Sequence, residues 1–213
     1  MAKAIAGAGR RLYIRGFMAG LEGNISARLD DGTIMVTPSG LPKGDLRDDD
    51  MVVVDARGKH LEGQHAASSE LPMHLLVYRR RPDVKACIHS HAPYSTSFAV
   101  AGMGLADDIL PEGAMAVGPV PLAEYAPPGT TSVPRSLEPF IDLHEAFLLS
   151  NHGLLTIGGS LRQALLLHET VEHCARIVHL ARQLGNVNRI PKEDCERLRR
   201  IRRDMATDRF SKG

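Results

Sequence analysis

The sequence predicts an α/β protein whose sheet is mostly antiparallel and covered by helices. Three observations carry that expectation. Short apolar runs come in pairs across tight turns: NISARL and TIMVTP flank Asp30-Asp31-Gly32, MVVVD and KHLEG flank Arg57-Gly58, and FLL and GLLTIG flank Ser150 to His152. Segments with helical apolar spacing lie between them, the longest at 160–184. Hairpins outnumber strand–helix–strand units, which disfavours a doubly wound parallel sheet.

In chain order, residues 2–20 read as a helix with Ile5, Leu12, Ile14 and Phe17 on one side, ending in the glycine cluster from Gly16 to Gly23. The hairpin at 24–38 follows, then a polar loop at 39–50 and a second hairpin at 51–63. Residues 69–80 read as a helix capped by Ser68 or Ser69, with Pro72 in its first turn and Arg79 to Arg81 at its C-terminal end, where cations are favoured. Arg81-Pro82-Asp83 stops it, and VKACIHS then reads as a strand. A helix is expected near 93–102, a Gly/Pro-rich stretch with short strands at 103–129, and a helix at 135–146. The hairpin at 147–158 precedes the helix at 160–184, whose apolar side is Leu161, Ala164, Leu165, Leu167, Val171, Ile177, Val178 and Leu180. The charged tail at 191–213 reads as a loosely docked helix. No internal repeat and no low-complexity segment occurs, and 213 residues suit one domain, 1–213.

Composition excludes several function classes. With 26 basic and 25 acidic residues, the net charge of +1 gives no reason to expect nucleic acid or an anionic membrane as the partner. No apolar run is long enough to span a bilayer, and no signal peptide follows Lys3, Arg10 and Arg11. Three scattered cysteines, Cys87, Cys174 and Cys195, fit a reducing compartment, so a cytoplasmic protein is expected, with Cys87 a small core residue.

The chemistry-bearing residues begin with His89 and His91. On a strand, positions i and i+2 face the same way, so the pair could present two imidazoles to one ion. Alone, the spacing suits two exposed or hydrogen-bonded histidines equally well. His152 interrupts two apolar strands beside Gly153, which permits close backbone approach. It reads as a third ligand or as a turn residue. Three histidines with one open position are the pattern of a catalytic divalent metal, most often zinc. AASSEL (66–71) places two serines and Glu70 at a helix start, either an anion site or an ordinary cap. GLEGNIS (20–26) and TPSGLPKGD (37–45) are glycine-containing loops of a kind that cradles phosphate, each a weak signal by itself.

Taken in order, GNIS, TPSG, SSE, HSH and NHGLL, from about Tyr13 to Leu184, closely resemble the class II aldolase/adducin family. The resemblance implies a three-layer α/β/α fold with a largely antiparallel central sheet. It implies one Zn2+ per subunit on His89, His91 and His152. Glu70 would complete the zinc shell at rest and act as acid/base once substrate displaces it. Asn24, Ser39, Gly40, Ser68 and Ser69 match the phosphate-binding positions. The implied activity is reversible cleavage of a small ketose 1-phosphate, such as fuculose 1-phosphate, to dihydroxyacetone phosphate and an aldehyde. A homotetramer with active sites between subunits is implied too.

The sequence also departs from the pattern. Aldolase members use a tyrosine that handles the proton at the aldehyde-derived oxygen, and none stands at the matching place near Pro111; Glu112 and Tyr125 are nearby. No tyrosine follows Tyr125. Epimerases on this scaffold carry aspartate where Glu70 stands, whereas dehydratases and decarboxylases share the zinc histidines and remain alternatives. Adducin-like heads, which serve as interaction modules, have lost those histidines. The remaining histidines read as bland: His168, His173 and His179 covering a helix surface or interface, His60, His65, His74 and His144 without a partner pattern. Arg182, Arg189 and the run Arg197 to Arg203 read as solvated faces.

Overall fold

The structure, a computed structural model, describes residues 1–130 and 132–210, with side chains as far as Asp204. Eight strands form one sheet in the order β4-β3-β2-β1-β5-β8-β7-β6: β1 (Asn24–Arg28), β2 (Ile34–Val36), β3 (Val52–Val54), β4 (His60–Glu62), β5 (Ala86–Ser90), β6 (Leu122–Ala123), β7 (Ala146–Leu149) and β8 (Gly153–Gly158). Every pairing is antiparallel except β6 with β7. The three sequence-local hairpins are β1–β2, β3–β4 and β7–β8, each closed where the turn residues stand. Gly32 and Gly58 adopt the positive φ that their tight turns require.

Pairing of β1 with β5 and of β5 with β8 joins the two halves of the sheet. Its register sets the site: Asn24 lies opposite His89, and His89 opposite Leu155. Residues in one such row share a face. On that face, Ser26, Cys87, Leu155 and Ile157 meet helices α2 (Leu71–Arg80) and α4 (Ser132–Leu137) in a buried cluster with Val36, Val54, Leu76 and Phe147. On the opposite face, Ile25, Ala27 and Ile88 pack under α1 (Ala2–Ile14), while Leu148 and Leu154 pack under α3 (Pro93–Val100) and α5 (Leu161–Leu184). The architecture is therefore the three-layer α/β/α expected. Among the described residues no helix is long and apolar enough to cross a membrane.

Several expectations need correction. α1 ends at Ile14, well short of residue 20, because the chain turns at Gly16 with φ +71. The helix expected at 135–146 is displaced to 132–137. Pro139 disfavours helical backbone at Glu138, and turns occupy 138–143. The N-cap of α2 is Glu70 itself, with no capping side chain; Ser68 Oγ instead accepts from the Glu70 backbone N–H at 3.3 Å. A π-helical turn at Gly113–Val117 was not foreseen. The buried side of α5 runs through Ala164, His168, Val171, Glu172, Cys174, Ala175 and Val178, with Leu180 largely exposed. The tail is α6 (Lys192–Phe210), and it is firmly held: Arg199 pairs with Asp107 through two hydrogen bonds of 2.7 and 2.8 Å, and Arg202 pairs with Glu145. Arg189 likewise pairs with Asp108, and Arg182 lies over the Phe98 ring.

Candidate active site

His89 is the penultimate residue of β5 and is fully buried. Its Nδ1 lies 3.0 Å from the Leu154 carbonyl on β8. A carbonyl oxygen can only accept, so Nδ1 carries the proton and Nε2 is left with a free lone pair. His91 follows the strand end. His152 is presented by the β7–β8 turn, where Asn151 takes positive φ. The rings stand edge to face, with centroids 4.7 to 5.3 Å apart. One ligand atom from each of the three lies within 4.8 Å of the others.

Gly153 makes this approach possible. A Cβ there would sit 2.4 Å from the Ser90 carbonyl oxygen, 2.9 Å from His91 Cδ2 and 3.1 Å from His89 Cε1. The sequence reading of Gly153 as a close-approach residue therefore holds.

Glu70 reaches the trio from the start of α2. Its Oε1 lies 2.9 Å from His152 Nε2 and its Oε2 3.3 Å from His89 Nε2. Asn24 Nδ2 donates to Oε2 at 2.8 Å. Yet among the described residues Nε2 of His89, Nε2 of His91 and Oδ1 of Asn24 are buried with no hydrogen-bond partner. Buried polar atoms left unpaired are costly. Here they converge, which is what a cation-binding site looks like. Burial pushes His89 down to about 3, so it is neutral at physiological pH, the state in which imidazole ligates. Burial pushes the Glu70 carboxyl up, but His89 and His152 outweigh it and hold it down at about 2. Both groups therefore occupy the protonation state a metal requires, and the donor set fits a divalent ion.

The loops expected from the sequence to bind phosphate run next to each other, and Ser68 and Asn24 bond Glu70. Ser39 N–H donates to the Ala66 carbonyl and Ser68 N–H to the Thr37 carbonyl, so loops 37–40 and 66–69 are stitched side by side. Ser39, Gly40 and Ser69 are exposed, and Gly40 takes positive φ. Asn24 is buried beside Glu70. Glu112 begins the π-helical turn and Tyr125 is exposed; among the described residues neither has a hydrogen bond, ion pair or ring contact with the histidines or Glu70.

Sequence reasoning missed several residues that support the site. Lys43 is 2% exposed and donates to the carbonyls of Leu21 and Leu41 at 2.8 and 2.9 Å, tying the two glycine loops together. Burial lowers its pKa, against the attraction of Glu22 and Glu70. His168 is no surface residue: it is fully buried between Ser90 and Thr156. His74, also read as unpartnered, is fully buried with Nδ1 2.7 Å from Ser26 Oγ. Position on an amphipathic helix hid both, because their partners come from distant strands.

Residues 3–179 match the family described as Class II Aldolase and Adducin N-terminal domain. The chain belongs to that family. It is 33% identical over 192 residues to a 5-deoxy-D-ribulose 1-phosphate aldolase of Bacillus thuringiensis serovar kurstaki, covering 89% of each chain. It is 34% identical over 176 residues to a 3-oxo-tetronate 4-phosphate decarboxylase of Pectobacterium atrosepticum, covering 81% of this chain and 80% of the relative. A solved L-fuculose 1-phosphate aldolase superposes with a TM-score of 0.87 at 32% identity, over 93% of this chain and 94% of that one. These likenesses place the protein among the class II aldolase enzymes, whose members depend on a metal and act on sugar phosphates.

Proposed function

We propose that the protein is a zinc-dependent aldolase that reversibly cleaves a small ketose 1-phosphate, of the fuculose-1-phosphate kind, to dihydroxyacetone phosphate and an aldehyde. The observation that carries this reading is the convergence of His89, His91 and His152 beside Glu70, with the buried Nε2 atoms of His89 and His91 left without a hydrogen-bond partner among the described residues. Three imidazoles and a carboxylate suit Zn2+, with one ion per subunit. When bound there, the ion supplies Lewis-acid polarisation of the substrate's carbonyl and hydroxyl oxygens.

The chain's own residues supply the rest. Breaking the C3–C4 bond of a ketose 1-phosphate turns the C4 hydroxyl into the aldehyde, with loss of its proton to solvent, and leaves an electron pair delocalised as an enediolate that must take up a proton at C3. Glu70, ionised and steadied by Asn24, is the group that moves this proton. Asn24, Ser39, Gly40, Ser68 and Ser69 hold the phosphate with hydroxyls, amides and the N-terminus of the ten-residue α2. The buried Lys43 ammonium adds positive charge behind them. Phosphate binding then fixes the reacting carbons relative to Glu70.

A decarboxylase or dehydratase of a sugar phosphate is the second reading. The 34%-identical decarboxylase and the absence of a tyrosine near Pro111 favour it. Retention of all three histidines argues against a non-catalytic module. We place the enzyme in the cytoplasm as a homotetramer with sites between subunits; the exposed Ile14, Leu143 and Leu184 offer apolar surface for such contacts. The test is release of dihydroxyacetone phosphate from a panel of ketose 1-phosphates, with and without chelator. Chelator-sensitive release is expected; no release from zinc-loaded protein would refute the aldolase reading.

A further inference from the structure

The three histidines are not equally supported. His89 lies in the strand ladder with its ring anchored to the Leu154 carbonyl. His91 lies between β5 and α3, and among the described residues no hydrogen bond reaches its ring. Its position therefore depends on how its backbone is held on either side. Both holds come from α5. His168 and Glu172 stand one turn apart on that helix, 0% and 3% exposed. On one side of His91, Ser90 Oγ lies 2.6 Å from His168 Nε2. On the other, Glu172 accepts from Tyr94 N–H at 2.8 Å, Ser95 N–H at 2.8 Å and Ser95 Oγ–H at 2.7 Å.

A proton inventory assigns the His168 link. Thr156 has one hydroxyl proton and gives it to the Ala164 carbonyl at 3.1 Å. At 2.9 Å from His168 Nδ1, Thr156 must then accept, so Nδ1 carries the imidazole proton. Nε2 is left to accept from the Ser90 hydroxyl. Every group in the chain is satisfied in a single tautomer, and the chain crosses α5, β8 and β5.

We propose that His168 and Glu172 are positioning residues that set His91 as a metal ligand, with α5 gripping the segment on both sides of it. This rests on the metal-site reading. The mechanism differs from ordinary core packing because the load falls on one ligand. Loosening either grip should weaken metal binding out of proportion to stability.

The test is Zn2+ affinity, by competition with a chromophoric chelator, measured beside the thermal midpoint of the metal-free protein. The variants are E172Q and H168Q, with the milder S90A and S95A in case the first pair fails to fold. V54A, a buried site on β3 toward the far side of the sheet, is the control for general destabilisation. E172Q and H168Q are expected to bind Zn2+ roughly 10- to 100-fold more weakly, S90A and S95A several-fold, and V54A as the wild type. Co2+-loaded E172Q should also show an altered visible spectrum. Wild-type affinity in E172Q and H168Q, or an equal loss in V54A, would overturn the proposal. A wild type that takes up no metal would instead take down the site reading, and the grip with it.

Discussion

Replacing Gly153 with alanine adds a single methyl group at the point where β8 passes His89 on β5 and His91 just beyond its end. The new Cβ would lie 2.4 Å from the Ser90 carbonyl oxygen, and such carbons essentially never come closer than 3.0 Å to a neighbour. The strands must therefore part by at least about 0.6 Å, against a ladder in which Ser90 faces Leu154. Overpacking of this kind costs roughly 1–3 kcal/mol, or about 2–12 °C in melting temperature for a chain this size. The same methyl would press on His91 Cδ2 at 2.9 Å and His89 Cε1 at 3.1 Å, so ligand displacement accompanies the strand shift. Metal sites tolerate little such error, because ligand distances hold to about 0.2 Å. Scanning calorimetry of metal-free protein and a Zn2+ titration measure the two effects. G153A should melt lower and bind Zn2+ at least about tenfold more weakly. Unchanged melting and affinity would mean that β8 is not pressed against the histidines, and the site geometry would be wrong.

Three other outcomes are expected. H89A should purify with little zinc, since the buried lone pair facing the site is gone; full zinc content would count against the histidine assignment. E70Q should keep the fold and most of the metal but lose most turnover, and full activity would remove Glu70 from proton transfer. Stability should fall on acidification with a definite sign. Burial depresses His74 to about 4 and His168 to about 3, from an ordinary 6.5. The unfolded chain takes up those protons below about pH 6.5 while the folded chain refuses them, so stability is full above that pH. It is lost as pH falls toward the folded values, by about 2 kcal/mol per histidine between pH 7 and 5. In metal-free protein H74Q should flatten that slope by about that amount, and an unchanged slope would contradict the burial argument.

What could be read in advance followed local chemistry. Asp31-Gly32 and Arg57-Gly58 announced their hairpins because positive φ is a glycine property, and both glycines adopt it. The HxH strand and His152-Gly153 announced a convergence because a period of two puts alternate residues on one face. Pro139 carried the signal that ended α4 early, but the apolar residues after it suggested a longer helix. Long-range pairing was not legible: nothing local joins β1 to β5 or makes β6 parallel to β7. For the same reason His168 read as covering a helix surface or interface and His74 as having no partner pattern. A histidine on an amphipathic helix counts as polar until Ser90, Thr156 and Ser26 arrive from distant strands. Lys43 carried no burial signal at all, since its two partners are backbone carbonyls of separate loops.

The role proposed for Glu70, moving a proton at carbon on a ketose phosphate beside a metal held by three histidines, is open to direct measurement. Hydrogen exchange tests it without knowledge of the aldehyde. Wild-type protein loaded with Zn2+ is incubated with dihydroxyacetone phosphate in D2O, and the C3 hydrogens are followed by NMR. Enzyme-dependent exchange of hydrogen at C3 is expected, abolished by chelator and strongly reduced in E70Q. Zinc-loaded wild-type protein that leaves both C3 hydrogens in place, or E70Q that exchanges as fast as wild type, would contradict it.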